Sequence, residues 1–290
     1  MKKDTFEKIY KKVPQDQREQ LRSFRSTHPY KHLTVAGTNW EYISCGRGEE
    51  SLVFLAGGLG IGEAWFQPIM AFENEYRVIT PTYPPTTTIA QLVDGLKGIL
   101  ESEGIHQAHL LGTSMGGMVA QCFVRKYPEG MGKLILGNTI VPNKTYAEQL
   151  KKKSRMLSFV PLWVLRTLAK RPISRHLSAV PKTEREFWRT YFNELISLHW
   201  TKESLSTKNQ CIIDFAQNHV FTPDDLVGWR GKILILESDD DQAIDAPKRE
   251  AIKATYPQAQ IHTFHNAGHI PALTRREEYI SVIRKFLREA

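Results

Sequence analysis

Cysteine is scarce in this chain, and its scarcity excludes a disulfide scaffold. Only Cys45, Cys122 and Cys211 occur among 290 residues, an odd number with no paired spacing. Such usage points to free thiols in a reducing cytoplasm. Long apolar runs are missing too, since no stretch reaches the ~18 residues that span a bilayer. The basic start MKKDTFEKIYKKVPQDQREQ leads into no apolar h-region, so no signal peptide is expected. Acids are thin between 144 and 189, where twelve Lys/Arg face Glu148, Glu184 and Glu186. That segment alone carries +9 against a formal net charge of +8 for the whole chain, so the remainder is close to neutral. It reads as a solvated helical face that an anionic substrate, a phospholipid surface or an acidic protein partner would meet. No nucleic-acid-binding motif accompanies the charge, so nucleic acid is not an expected partner.

What is present is an ordinary globular composition, 41% hydrophobic and 24% charged, enough for one large core with an insertion. Strand-like and helix-like segments alternate, which predicts a mostly parallel sheet with helices on both faces. Short apolar runs mark strands at Trp40–Ser44, Leu52–Leu55, Tyr76–Thr80, Ala108–Leu111, Lys133–Leu136, Lys232–Leu236 and Gln260–Phe264. Helices are expected over Thr88–Glu103, Met115–Tyr127, Pro247–Thr255 and Arg276–Arg288. Residues 1–30 read as one or two peripheral helices. The rhythm breaks between about 142 and 225, where apolar residues recur at helical spacing. Two stripes stand out, Leu157, Val160, Trp163, Val164 and Leu168, then Phe187, Trp188, Tyr191, Phe192 and Leu195. This stretch predicts a helical lid inserted into a core of residues 31–141 and 226–290. Its stripes are read mainly as packing, with a few residues facing a pocket.

The most informative segment is Ala108–Val119, AHLLGTSMGGMV. Gly112-Thr113-Ser114-Met115-Gly116 is a G-x-S-x-G pattern with a buried strand before it and a helix after it. The turn from strand to helix crowds the positions two before and two after the serine, where only glycine avoids a Cβ collision. Ser114 is therefore the candidate nucleophile, and the Met115 N–H at the helix start a candidate oxyanion donor. The base is expected at His269 in Asn266-Ala267-Gly268-His269-Ile270-Pro271. The orienting acid is expected after the strand ending at Leu236, in Glu237-Ser238-Asp239-Asp240-Asp241-Gln242. The usual turn there favours Asp241, with Asp240 the neighbouring alternative. Gly137-Asn138, at the end of the strand after the serine helix, offers no carboxylate. A second oxyanion donor is expected in Ala56-Gly57-Gly58-Leu59-Gly60, at Gly58 or, failing that, Leu59. The glycines of that loop cradle no phosphate, because neither a following Lys-Ser/Thr nor a dinucleotide fingerprint is present. His262, His265 and His269 lack the companion ligands of a zinc site, so neither metal nor cofactor is expected.

Together these residues resemble the α/β-hydrolase superfamily from about Trp40 onward. Within it the chain is most similar to the maspardin-like branch. That likeness rests on Tyr76-Arg77-Val78-Ile79 leading to Tyr83-Pro84, on Gly112–Gly117, and on Asp241-Gln242 followed by Tyr256-Pro257. Two departures stand out: Ala56-Gly57 replaces the usual His-Gly, and Thr80-Pro81-Thr82-Tyr83-Pro84-Pro85 replaces the usual Asp and glycine-rich loop. The resemblance implies a cytoplasmic serine hydrolase acting on a small-molecule ester. It also leaves two other roles open: a non-catalytic interaction scaffold that uses the basic lid, and C–C hydrolysis or perhydrolysis on the same triad. A complete Ala-Gly-His-Ile-Pro setting around His269 favours an active enzyme.

Overall fold

The computed structural model describes residues 3–168 and 177–289. Its centre is an eight-stranded sheet in the order β1-β2-β4-β3-β5-β6-β7-β8. The strands are β1 (Lys31–Val35), β2 (Thr38–Cys45), β3 (Ser51–Leu55), β4 (Arg77–Thr82), β5 (Ala108–Thr113), β6 (Met131–Gly137), β7 (Ile233–Ser238) and β8 (Gln260–Phe264). β2 pairs antiparallel with both β1 and β4, and every other pairing is parallel. The fold is therefore the expected α/β-hydrolase arrangement with a mostly parallel sheet.

Strand periodicity divides the core into two layers. Val53, Leu55, Leu110, Leu134, Leu136, Ile233 and Ile235 face one side. Leu52, Phe54, Leu111, Ile135, Leu234 and Leu236 face the other. Both sides are covered, which is why the central strands read as unbroken apolar runs. On the first face lie α4 (Ile89–Ser102), α5 (Met115–Lys126) and α10 (Ala246–Thr255). The second carries α1 (Lys3–Ile9), α2 (Gln15–Thr27), α3 (Phe66–Phe72) and α12 (Arg276–Arg288), with the short α11 (Pro271–Thr274) before it. The N-terminal helices are not merely peripheral. Tyr10, Leu21 and Phe24 are at most 2% exposed, because α1 and α2 close the second apolar layer.

Between β6 and β7 the chain inserts α6 (Lys144–Ser158), a helix over 162–168 termed α7, α8 (Arg185–His199) and α9 (Lys202–Asn218). The stripe on α8 is packed as expected, with Phe187 and Tyr191 against Phe66. The earlier stripe differs from expectation: Trp163 is 71% and Leu168 42% exposed. Among the described residues, no helix is long and apolar enough to cross a membrane. Strand order places β4 on one side of β3 and β5 on the other. Such a reversal leaves a crevice at the C-terminal ends of β3 and β5, where ligands bind in open α/β sheets.

Candidate active site

Ser114 sits in that crevice, between β5 and α5, with φ 53° and ψ −118°. A non-glycine residue held at positive φ is strained and must be over-determined by its surroundings. Its N–H donates to Gly137 O on β6 at 2.9 Å, and its carbonyl accepts the Thr139 hydroxyl at 2.6 Å. The flanking glycines are steric necessities. A Cβ on Gly112 would lie 2.2 Å from Gly116 O, and one on Gly116 would lie 2.1 Å from Leu55 O. Met115 follows as the first residue of α5, its side chain buried.

His269 follows β8 on a loop that all three consecutive aspartates hold. Asp239 accepts from the Asn266 N–H at 2.9 Å and pairs with His265 Nδ1 at 2.7 Å. Asp240 accepts from the Gly268 N–H at 2.8 Å. Asp241 pairs with His269 itself, Oδ2 to Nδ1 at 2.8 Å. Of the two acid candidates, the imidazole meets Asp241. The other oxygen of Asp241 accepts the Ala243 and Ile244 N–H groups at 2.8 and 3.1 Å. Burial pushes the Asp241 carboxyl up, but the bonds from His269, Asn138 and Ala243 outweigh it and hold it below the usual carboxylate range. The side chain of Asp241 is wholly buried, and that of His269 is 20% exposed.

Ser114 and His269 line one cavity of about 260 Å³ together with Gly57, Gly58 and Leu59 of the loop after β3. Trp65, Pro68, Leu273 and the α8 residues Trp188 and Phe192 make the rest of its wall mainly apolar. The crevice thus brings together Ser114, His269 with Asp241, Gly58 and the start of α5 at Met115. The three histidines considered as a metal cluster are divided among three carboxylates. His262 meets Glu278 at 3.0 Å, while His265 and His269 meet Asp239 and Asp241. Among the described residues, one group of metal-competent donors has its ligand atoms all within 4.8 Å, namely His28, Cys45 and Glu73. None of these lines the cavity.

Two site residues carry no role in the sequence reading. Asn138, at φ 41° after β6, donates from Nδ2 to Asp241 Oδ2 at 2.9 Å and to Ser238 Oγ at 3.3 Å. Gly137-Asn138 offers no carboxylate of its own, and the Asn138 amide instead holds that of Asp241. Lys208, on α9, donates to Leu59 O at 2.6 Å, so the insertion reaches the loop after β3. Burial lowers its pKa to about 8. A single lysine in a basic segment leaves no local signal for such a contact.

Comparison with known proteins accords with this geometry. The sequence profile of the α/β hydrolase fold matches residues 50–275. A 2-hydroxy-6-oxononadienedioate/2-hydroxy-6-oxononatrienedioate hydrolase of Paraburkholderia phymatum is 25% identical, over 90% of this chain and 96% of that protein. Maspardin of Danio rerio is 24% identical, over 92% of this chain and 85% of that protein. In structure, a hydrolase from Pseudomonas aeruginosa superposes with a TM-score of 0.74 at 18% identity, over 90% of this chain and 99% of that one. With the strained serine between β5 and α5, the layered sheet and a profile that matches most of its length, the chain belongs to the α/β-hydrolase fold family.

Proposed function

We propose that the protein is a serine hydrolase of carboxylic esters, with Ser114, His269 and Asp241 as its triad. One observation carries the reading: Ser114, strained at the strand-to-helix turn, and His269, held by ionised Asp241, line the same apolar-walled cavity. In this mechanism Ser114 Oγ attacks the ester carbonyl carbon while its proton passes to His269 Nε2. Asp241 keeps the imidazole in the required tautomer and stabilises the imidazolium. The Met115 and Gly58 N–H groups hold the tetrahedral oxyanion. Collapse breaks the C–O bond, and the departing alkoxide takes the proton from His269. Water then gives its proton to His269 and attacks the acyl-serine, and the second collapse returns that proton to Ser114 with release of the acid. Residues 142–225 serve as a lid over a core of 31–141 and 226–290, with Trp188 and Phe192 the lid's share of the pocket wall.

A second reading, C–C bond hydrolysis on the same triad, is favoured by the Paraburkholderia phymatum relative, whose likeness extends over 90% of this chain. Fold does not choose between the two, so substrates must. We expect hydrolysis of p-nitrophenyl butyrate and a fluorophosphonate adduct located on Ser114 by mass spectrometry. Ser114→Ala should lose both with its melting temperature unchanged, because one hydroxyl and no core volume is removed. An unlabelled wild-type protein would favour the interaction-scaffold reading. More than about a tenth of wild-type kcat in the Ser114→Ala variant would sink the nucleophile assignment.

A further inference from the structure

The insertion between β6 and β7 presents large apolar side chains to solvent at one corner. Met156 is 73%, Phe159 84% and Trp163 71% exposed, all within eight consecutive residues around the turn from α6 to α7. Leu198, near the end of α8, adds a fourth at 62%. The corner is tied down rather than splayed. Arg166 donates to the carbonyls of Ser197 and Trp200 at 3.0 and 2.6 Å, and Lys202 reaches Ser158 O at 3.5 Å. It borders a groove of about 770 Å³ whose lining includes Leu150, Leu157, Leu165 and Leu168, so apolar surface continues inward between α6, α7 and α9. Solvent-facing tryptophan, phenylalanine and methionine clustered in this way mark an interaction surface.

The surrounding charge says of what kind. Residues 144–168 hold six cations against the single carboxylate of Glu148. Lys151 pairs with Glu148 at 2.8 Å. Lys152, Lys153 and Arg155 are exposed and face no carboxylate at ion-pair distance among the described residues. A second copy of this chain would bring these same cations against each other. An anionic surface gains from them instead. We propose that this corner docks on the surface of an anionic phospholipid bilayer. Phe159, Trp163 and Met156 enter the boundary between headgroups and acyl chains, while Lys152, Lys153 and Arg155 meet the headgroup phosphates. Amphipathic helices that lie in a membrane interface pair these two features, aromatic and aliphatic anchors with a Lys/Arg face.

The test is sedimentation of the full chain with vesicles of phosphatidylcholine alone and with about three-tenths phosphatidylglycerol added. We expect partition to the anionic vesicles, a blue shift of tryptophan fluorescence on binding, and weakening as salt rises. The double variant Phe159→Ser/Trp163→Ser should lose the partition and much of the blue shift. The triple variant Lys152→Gln/Lys153→Gln/Arg155→Gln should weaken it by more than about ten-fold. All five positions are exposed, so both variants should keep the wild-type melting temperature, and the charge variant decides alone if the other fails to fold. Absence of binding at low salt, or binding retained by the charge variant, overturns the proposal. So does a dimer, seen by light scattering, that disperses in Phe159→Ser/Trp163→Ser, because the patch then belongs to a second copy.

Discussion

Asp239, Asp240 and Asp241 divide one loop between them, and only the last reaches the imidazole of His269. Asp241→Asn should therefore lower kcat by orders of magnitude, while Asp239→Asn or Asp240→Asn changes it only a few-fold through loop position. Steady-state rates on p-nitrophenyl butyrate separate them, and equal losses would contradict the division of roles. Three adjacent carboxylates are indistinguishable as letters, which is why the register stayed open until the loop was folded. Asn138 hid for a different reason: its use depends on a neighbour a hundred positions away. Its contact makes a pH prediction. In Asn138→Asp a second carboxylate faces Asp241, so the pair resists double ionisation and one member keeps its proton to higher pH. That moves the acidic limb of kcat/KM to higher pH, so an unmoved or lowered limb would refute the placement of Asn138.

The end of β5 and the loop after β3 are both glycine-bearing, yet their glycines answer to different constraints. A Cβ on Gly112 meets backbone at 2.2 Å, whereas one on Gly58 meets nothing within 4 Å. Gly112→Ala should cost at least about 2 kcal/mol of stability by forcing β5 away from α5. Gly58→Ala should melt with the wild-type protein. Thermal unfolding of the pair checks this, and equal losses would mean that the loop after β3 is packed rather than open. Among the elements, strands buried on both faces were the most legible, because an apolar run has few other places to go. For the edge strand β8 the expected and observed bounds coincide at Gln260–Phe264. β1 is hard to see in the sequence because KHLTV is a five-residue edge strand whose alternation amounts to two half-buried residues, Leu33 and Val35. So is α3, because FQPIMAF is seven residues long and carries Pro68, which its first turn tolerates. The stripe around Trp163 shows the limit of periodicity: helical spacing identifies a face, but not whether anything covers it.

On the scale of the whole molecule, one arginine joins three parts of the chain that no local pattern connects. Arg25 on α2 pairs with Glu63, between β3 and α3, at 2.6 Å and with Glu194 on α8 at 2.7 Å. The Tyr10 hydroxyl donates to the same Glu194 at 2.5 Å, and Tyr191 donates to Glu63 O at 2.9 Å. The Glu194 side chain is 1% exposed, so water cannot replace the arginine there. Arg25→Met removes the cation and leaves two carboxylates facing each other in a poorly hydrated site. Breaking a buried pair in this way costs about 3–5 kcal/mol. Thermal unfolding at neutral pH checks this, and a variant that melts with the wild-type protein would refute it. Because α8 also supplies Trp188 and Phe192 to the cavity wall, the same variant should raise KM for the ester more than it lowers kcat. That split separates a displaced wall from a damaged triad, which would lower kcat first.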